Sequence, residues 1–346
     1  MNKKLSYLRV VACCAILILH TVFTANGLYA DQITAQQNII SRVVVNEMMW
    51  AVPVFLMVSG SLLLQKDRKI SYQKLFRKYI ARVFWALVIF SVLDWCFDLV
   101  MNHTPFTGEA VMSLVKDFFQ GKGWAHLWYL YLLIGIYLMV PFLKRWIDGA
   151  STTDILYMLA LLFLFQSLIP LLEAFVGNVN FYILFFTVYL LYFIAGYAIE
   201  RKILTIPTRL SLSGLIGSTV LLAFFTILRW KSGNTVPDFL FGYSSPLIVI
   251  QSLCLFGLSG CQNHTRDREK KDTPRAFERF LLWIDSVSFG IYLIHMFFVR
   301  LFLRYMGWNF YARWTLLQFT AFLVGLLAIS SAVSYGLKRT FLRKIL

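Results

Sequence analysis

Apolar stretches long enough to cross a lipid bilayer recur along the whole chain, and this limits the possible folds more than any other feature. They lie near 5–25, 45–64, 79–100, 127–143, 154–173, 181–199, 210–229, 244–261, 283–303 and 314–337. A helix crossing the hydrocarbon core needs roughly 17–25 such residues. Inside lipid, every backbone polar group must be satisfied within the segment, which leaves helices as the element for single apolar runs. The expected fold is therefore all-α: a polytopic membrane bundle of about ten transmembrane helices, read as one domain over 1–346.

Composition agrees. The chain is 59% hydrophobic and 14% charged, where a soluble domain carries about 25% charged residues. The net charge of +16 would suggest nucleic acid in a soluble protein, but its distribution argues otherwise. With the N-terminus placed inside, the segments facing inward hold 25 of the 33 Lys and Arg residues, as the positive-inside rule requires. The charge thus predicts an N-in, C-in orientation and no nucleic-acid partner. Trp50, Trp95, Trp124, Trp230 and Trp308 fall near expected outer ends, where an interfacial aromatic belt belongs.

Lys3 and Lys4 followed by an apolar run look like a secretory signal. Cleavage is not expected, because cuts after Ala25 or Ala30 would place Phe23 or Leu28 where a small residue is needed. The five cysteines lie in or at the ends of apolar runs without CxxC spacing, so they read as small buried hydrophobes rather than disulfide or metal ligands. The five histidines are scattered; His103 and His264 are loop residues without an assigned role, and no metal site is expected. The stretch RDREKKDTPR at 266–275 reads as a solvated charge cluster.

Ionisable groups inside spans are costly, and each is a candidate for function. Arg9 and His20 share the first span, eleven residues apart. Eleven residues complete about three helical turns, so both point to one face, roughly 16 Å apart along the axis. Taken singly, Arg9 also reads as a snorkelling arginine at the inner surface and His20 as a packing histidine. At matching outer depth lie Asp94, with Asp98 one turn beyond; His126, followed by Trp128 and Tyr129; Tyr292 and His295 on one face; and Glu47 at the entrance to the second span. These groups are expected to form an outer polar site with a histidine base. Asp94 is the first choice for the carboxylate that orients it, and Glu47 the second. On the inner side, Arg9, Arg77, Lys78 and Arg82 cluster, with Ser59 and Gly60 at comparable depth. They read either as ordinary positive-inside charge or as a mouth for a phosphorylated donor, since arginine forks suit phosphate.

Six segments carry a family resemblance. YLRVVACCAILILH (7–20), VPVFLMVSGSLLL (52–64), LFRKYIARV (75–83), HLWYLYLLIGIYLMVP (126–141), YSSPLIVIQSLCLFGL (243–258) and SFGIYLIH (288–295) resemble, in order, the blocks of the membrane acyltransferase-3 family. The nearest flavour is the surface-polysaccharide O-acetyltransferase branch, which includes the membrane half of vancomycin-resistance serine racemases. The resemblance implies transfer of an acyl group, usually acetyl, from cytoplasmic acetyl-CoA to a hydroxyl or amine of a surface glycan or other cell-envelope acceptor, in the bacterial plasma membrane. Carried over by position, His20 is the catalytic histidine and Arg9 its paired arginine. Arg77 and Arg82 match the basic block, and Tyr292 and His295 the last block. Neither Glu47 nor Asp94 falls on a family motif position.

These readings combine into one expectation. Coenzyme A binds at the inner mouth, near Arg9, Ser59, Arg77 and Arg82, and extends its thioester outward. His20 takes the proton of the acceptor hydroxyl, with Tyr129 or Tyr292 as oxyanion donor, and Glu47, His126, Trp128, Tyr129, Tyr292 and His295 hold the acceptor. The competing reading is an exporter of a polysaccharide or lipid-linked glycan; a non-catalytic sensor or scaffold is the third. The oligomeric state stays open, a homo-oligomer included.

Overall fold

The computed structural model describes residues 3–68, 70–177, 187–233, 235–261, 276–312 and 316–345, all helical or irregular, without strands among the described residues. We number its main helices α1 (Lys3–Leu28), α2 (Ala35–Glu47), α3 (Ala51–Leu63), α4 (Tyr72–Met101), α5 (Gly108–Gln120), α6 (Trp128–Gly149), α7 (Thr152–Val176), α8 (Val188–Glu200), α9 (Thr208–Lys231), α10 (Pro246–Cys261), α11 (Ala276–Tyr305) and α12 (Leu316–Leu337). Nine helical segments of the described residues are long and apolar enough to span a membrane, with Ala35–Leu63 counting as one and Asp238–Ser259 including the turn before α10. The chain divides into two compact units, Met1–Arg68 with Lys144–Ser286, and Lys69–Leu143 with Val287–Leu346.

Local chemistry sets the helix ends. Thr34 caps α2: its hydroxyl accepts from the Gln37 amide, while the Gln37 side chain accepts from the Thr34 amide. Ser151 and Asp154 close the same reciprocal box at the start of α7. Ser71 caps α4 and Thr107 caps α5. α4 and α7 each contain a π-helical turn, at Leu75–Ile80 and Leu164–Leu168. Such a turn inserts one residue and rotates the C-terminal part of the helix relative to a regular α-helix.

Three expectations change. The segment 26–44 was expected to lie outside the spans, yet α1 runs to Leu28 and most of the remainder is α2. The reason is the capping box, which starts a 13-residue helix, AQQNIISRVVVNE, too short and too polar to mark a span by itself. The expected loop 101–125 contains α5, an amphipathic helix too polar to register as a span. Of the expected span 181–199, residues up to 186 lie outside the described residues, and the rest is α8, only 13 residues long. The charged run 266–275 also lies outside the described residues.

α8 is covered by protein. Eleven of its 13 residues are buried, and its main neighbour is α3. Two glycines allow the contact. A Cβ on Gly60 would run into the carbonyl of Phe193, and a Cβ on Gly196 would run into the carbonyl of Met57. Each helix therefore presents a glycine to the backbone of the other, three residues from the site it receives. Such small residues permit close approach where apolar burial gives no preference for protein over lipid. α1 packs on α2 and α3, and α9 on α2 and α10. By contrast, α9 exposes Leu210, Ile216, Val220 and Phe224, as a lipid-facing helix does.

Candidate active site

In the first unit, α1 carries both Arg9 and His20 on one uninterrupted helix, and both side chains are half-buried. Arg9 forks onto Asp285 of α11: Nε donates to Oδ1 at 2.6 Å and Nη2 to Oδ2 at 2.7 Å. The Asp285 side chain is 2% exposed and that of Arg9 26%, so the carboxylate is the buried partner and the guanidinium has a route to solvent. A planar fork against a carboxylate is the most directional ion pair available to a side chain. Lys3 makes a second bridge, 2.5 Å to Glu278. Residue numbers rise together across the two pairs, so this part of α11 runs parallel to α1. The arginine expected to seek a donor phosphate is thus engaged by a carboxylate, which pins its position below His20 on the helix.

Glu47 belongs to a different cluster of the same unit. Gln251 Nε2 donates to Glu47 Oε2 at 2.9 Å and to Thr219 Oγ1 at 3.1 Å, and the neighbouring Asn46 donates to Thr226 at 2.9 Å. This ties α2 to α9 and α10. Ser59 donates to the carbonyl of Phe55 at 3.0 Å within its own helix, a local bond that serves the backbone.

In the second unit, five of the expected acceptor-binding residues meet. His126, two residues before α6, lies 5.5 Å from His295 and 5.7 Å from Tyr292 between ring centroids. Tyr129 lies 5.8 Å from Tyr292, and Trp128 packs on Tyr129 at 6.2 Å. The Tyr292 hydroxyl donates to the carbonyl of His126, and His295 Nδ1 lies 3.1 Å from the carbonyl of Ile291. Tyr292 and His295 occupy one face of α11 as their three-residue spacing requires. The result is a mostly edge-to-face aromatic and imidazole surface with hydroxyl and ring-nitrogen groups.

Beside it, Asp98 organises a network that the sequence did not foretell. Its Oδ2 accepts from Trp124 Nε1 at 2.7 Å and from Arg300 Nη1 at 3.1 Å, while Arg300 Nη2 reaches Oδ1 at 2.6 Å. The Arg300 guanidinium also lies over the Trp124 ring, 4.1 Å from its centroid. Trp124, expected only as a belt residue, is held from its edge and its face and packs 6.2 Å from His126. Asp94, one turn before Asp98, is 2% exposed, and neither carboxylate oxygen has a hydrogen-bond partner among the described residues. Arg77, on the π-helical turn, is exposed. Arg82 donates to the carbonyl of Ile345 at 2.8 Å and lies over the Phe289 ring.

A family model described as an acyltransferase domain, acyltransferase-3, matches residues 2–335. The chain belongs to the acyltransferase-3 family. No curated protein and no solved structure matches it. The match spans all six motif blocks, so Arg9, His20 and the Tyr292–His295 pair lie inside the acyltransferase domain. With nine candidate spans among the described residues, this acyltransferase is a multi-pass membrane protein.

Asp285, Arg300 and Gln251 are the groups that sequence reasoning passed over. The available signal for Asp285 was a carboxylate inside an apolar span, ten residues before His295. It was missed because it sits near the inner edge, where charges are ordinary. Arg300 was counted only as an outer cation. Gln251 has no charge, and nothing local distinguishes it from a packing glutamine.

Proposed function

We propose that the acyltransferase moves an acyl group, acetyl by preference, from acetyl-CoA on the cytoplasmic side to a hydroxyl of an extracytoplasmic glycan or other cell-envelope acceptor. The carrying observation is the fixed Arg9–Asp285 pair on the helix that also holds His20, within a chain of acyltransferase-3 type. A donor that arrives from the cytosol and an acceptor that stays outside require a group that reaches across, and α1 places a cation and a base about three turns apart on one face. The lysine and arginine distribution supports an inward N-terminus, with Arg9 on the cytoplasmic side. The proposed membrane is a bacterial plasma membrane.

In the reaction, His20 accepts the proton of the attacking hydroxyl. The new ester C–O bond forms as the thioester C–S bond breaks. The coenzyme A thiolate leaves and is protonated from the imidazolium, which restores the base. Arg77 and Arg82 are the proposed phosphate-binding groups of the second unit. Its His126, Tyr129, Tyr292 and His295 surface is the proposed acceptor platform, since aromatic faces with hydrogen-bonding edges suit sugar rings.

The test is single-turnover transfer from radiolabelled acetyl-CoA supplied to inverted membranes, comparing wild type with His20→Ala. Label reaching a glycan fraction with wild type alone supports the transferase and its base. If both variants expressed equally and labelled the fraction equally, His20 would be removed from the chemistry. Labelling by neither, together with glycan movement across the membrane, would favour export.

A further inference from the structure

We propose that α5 is an in-plane membrane anchor, whose outer apolar arc is occupied by lipid at the boundary between headgroups and acyl chains. This is independent of the acyl-transfer reading.

The helix has 13 residues, about 20 Å at 1.5 Å per residue, against a hydrocarbon core of about 30 Å. It is therefore too short to cross, and its sequence is two-sided. At about 100° per residue, Glu109, Ser113, Lys116, Asp117 and Gln120 gather on one narrow arc. Everything between is apolar. Part of that apolar surface faces protein: Phe118 leans on Tyr131 at 5.9 Å, and the Tyr131 hydroxyl donates to the Phe118 carbonyl at 2.6 Å. The remainder has no protein cover among the described residues. Met112 is 68% exposed and Phe119 82%, with Val111 and Val115 exposed beside them.

Connectivity decides what covers it. Short links, 102–107 and 121–127, join α5 to two membrane-spanning helices, α4 and α6. Both ends of α5 are therefore tethered at the level of the bilayer surface. Phe106, just before the helix, packs edge-to-face on Trp95 of α4 at 5.5 Å, and Val100 near the end of α4 is 70% exposed. The uncovered arc is thus continuous with the lipid-facing side of a span. An amphipathic helix held there buries its apolar face in the interface and keeps its charged arc in water. At its other end Gly121, with φ +66°, ends the helix in the left-handed conformation and turns the chain toward Trp124 and His126. The lipid anchor thereby sets the depth at which that cluster begins.

Photoreactive benzoylphenylalanine placed at Met112, Phe119 or Lys116, in chains reconstituted into phosphatidylcholine–phosphatidylglycerol vesicles, tests this. Lipid adducts at 112 and 119, at least fivefold above those at 116, are expected. Adducts to a second copy of the chain at 112 and 119, or equal lipid yields at all three positions, overturn the proposal. Hydroxyl-radical footprinting of the unaltered chain in nanodiscs provides the second measurement. Protection of Met112 and Phe119 is expected, whereas modification as extensive as in the denatured chain overturns the anchor.

Discussion

Arg9 and Asp285, 276 positions apart in sequence, meet through both nitrogens of a guanidinium fork and both oxygens of a carboxylate. The pair joins the helix that carries His20 to α11, the helix that later supplies Tyr292 and His295. It also explains how a charge is tolerated within α1: the cost of partly withdrawing it from water is offset by a buried carboxylate of opposite charge.

Asp285→Ala leaves the Arg9 charge half-buried and uncompensated. Breaking a buried pair from one side costs about 3–5 kcal/mol, and the 26% exposure of Arg9 places this case toward the lower end. Thermal unfolding in detergent should show a clear drop for Asp285→Ala, with a smaller drop for the double variant Arg9→Ala, Asp285→Ala. A double variant less stable than the single one would contradict the pairing.

His20→Ala should remove a base without disturbing the fold. General base catalysis contributes about 10²–10⁴-fold, and the acyl-transfer rate should fall within that range. The unfolding midpoint should stay near wild type, because His20 is half-buried and its helix continues on both sides.

Gly60→Ala and Gly196→Ala should each disrupt the α3–α8 contact, because the added methyl would meet backbone carbonyls that cannot rotate aside. Overpacking typically costs about 1–3 kcal/mol, and a backbone obstacle argues for the upper end. Gly27→Ala is the control: its added Cβ meets nothing within 4 Å, and alanine favours a helix by up to about 1 kcal/mol. Thermal stability should separate the first two variants from the third.

Tyr292→Phe keeps the ring contacts with His126, Tyr129 and His295 but removes the bond to the His126 carbonyl. A hydrogen bond of this kind contributes about 1 kcal/mol. If the cluster holds the acceptor, the acceptor KM should rise several-fold while the apparent affinity for acetyl-CoA stays constant. A change confined to the donor KM would reassign the cluster.

The bundle was legible because hydropathy is a local property: each span declares itself within about twenty residues. The same locality placed Arg9 and His20 on one face, and Tyr292 next to His295, since helical periodicity alone decides both. It failed where length and apolarity part company. α5 is too polar and short to read as a span, yet it is a capped helix. α8 falls short of spanning length among its described residues, yet it lies deep within its unit.

By itself the sequence determined the class of solvent, the helical character of the spans and the acyltransferase-3 family, because each rests on residue type and spacing along one chain. Only the tertiary structure decided that Arg9 answers to Asp285, that Trp124 is clamped between Asp98 and Arg300, and that Gly60 and Gly196 admit the backbones of each other's helices. The reason is physical. An ion pair or a close approach exists only when two distant segments share a place, and no local pattern records which segments will.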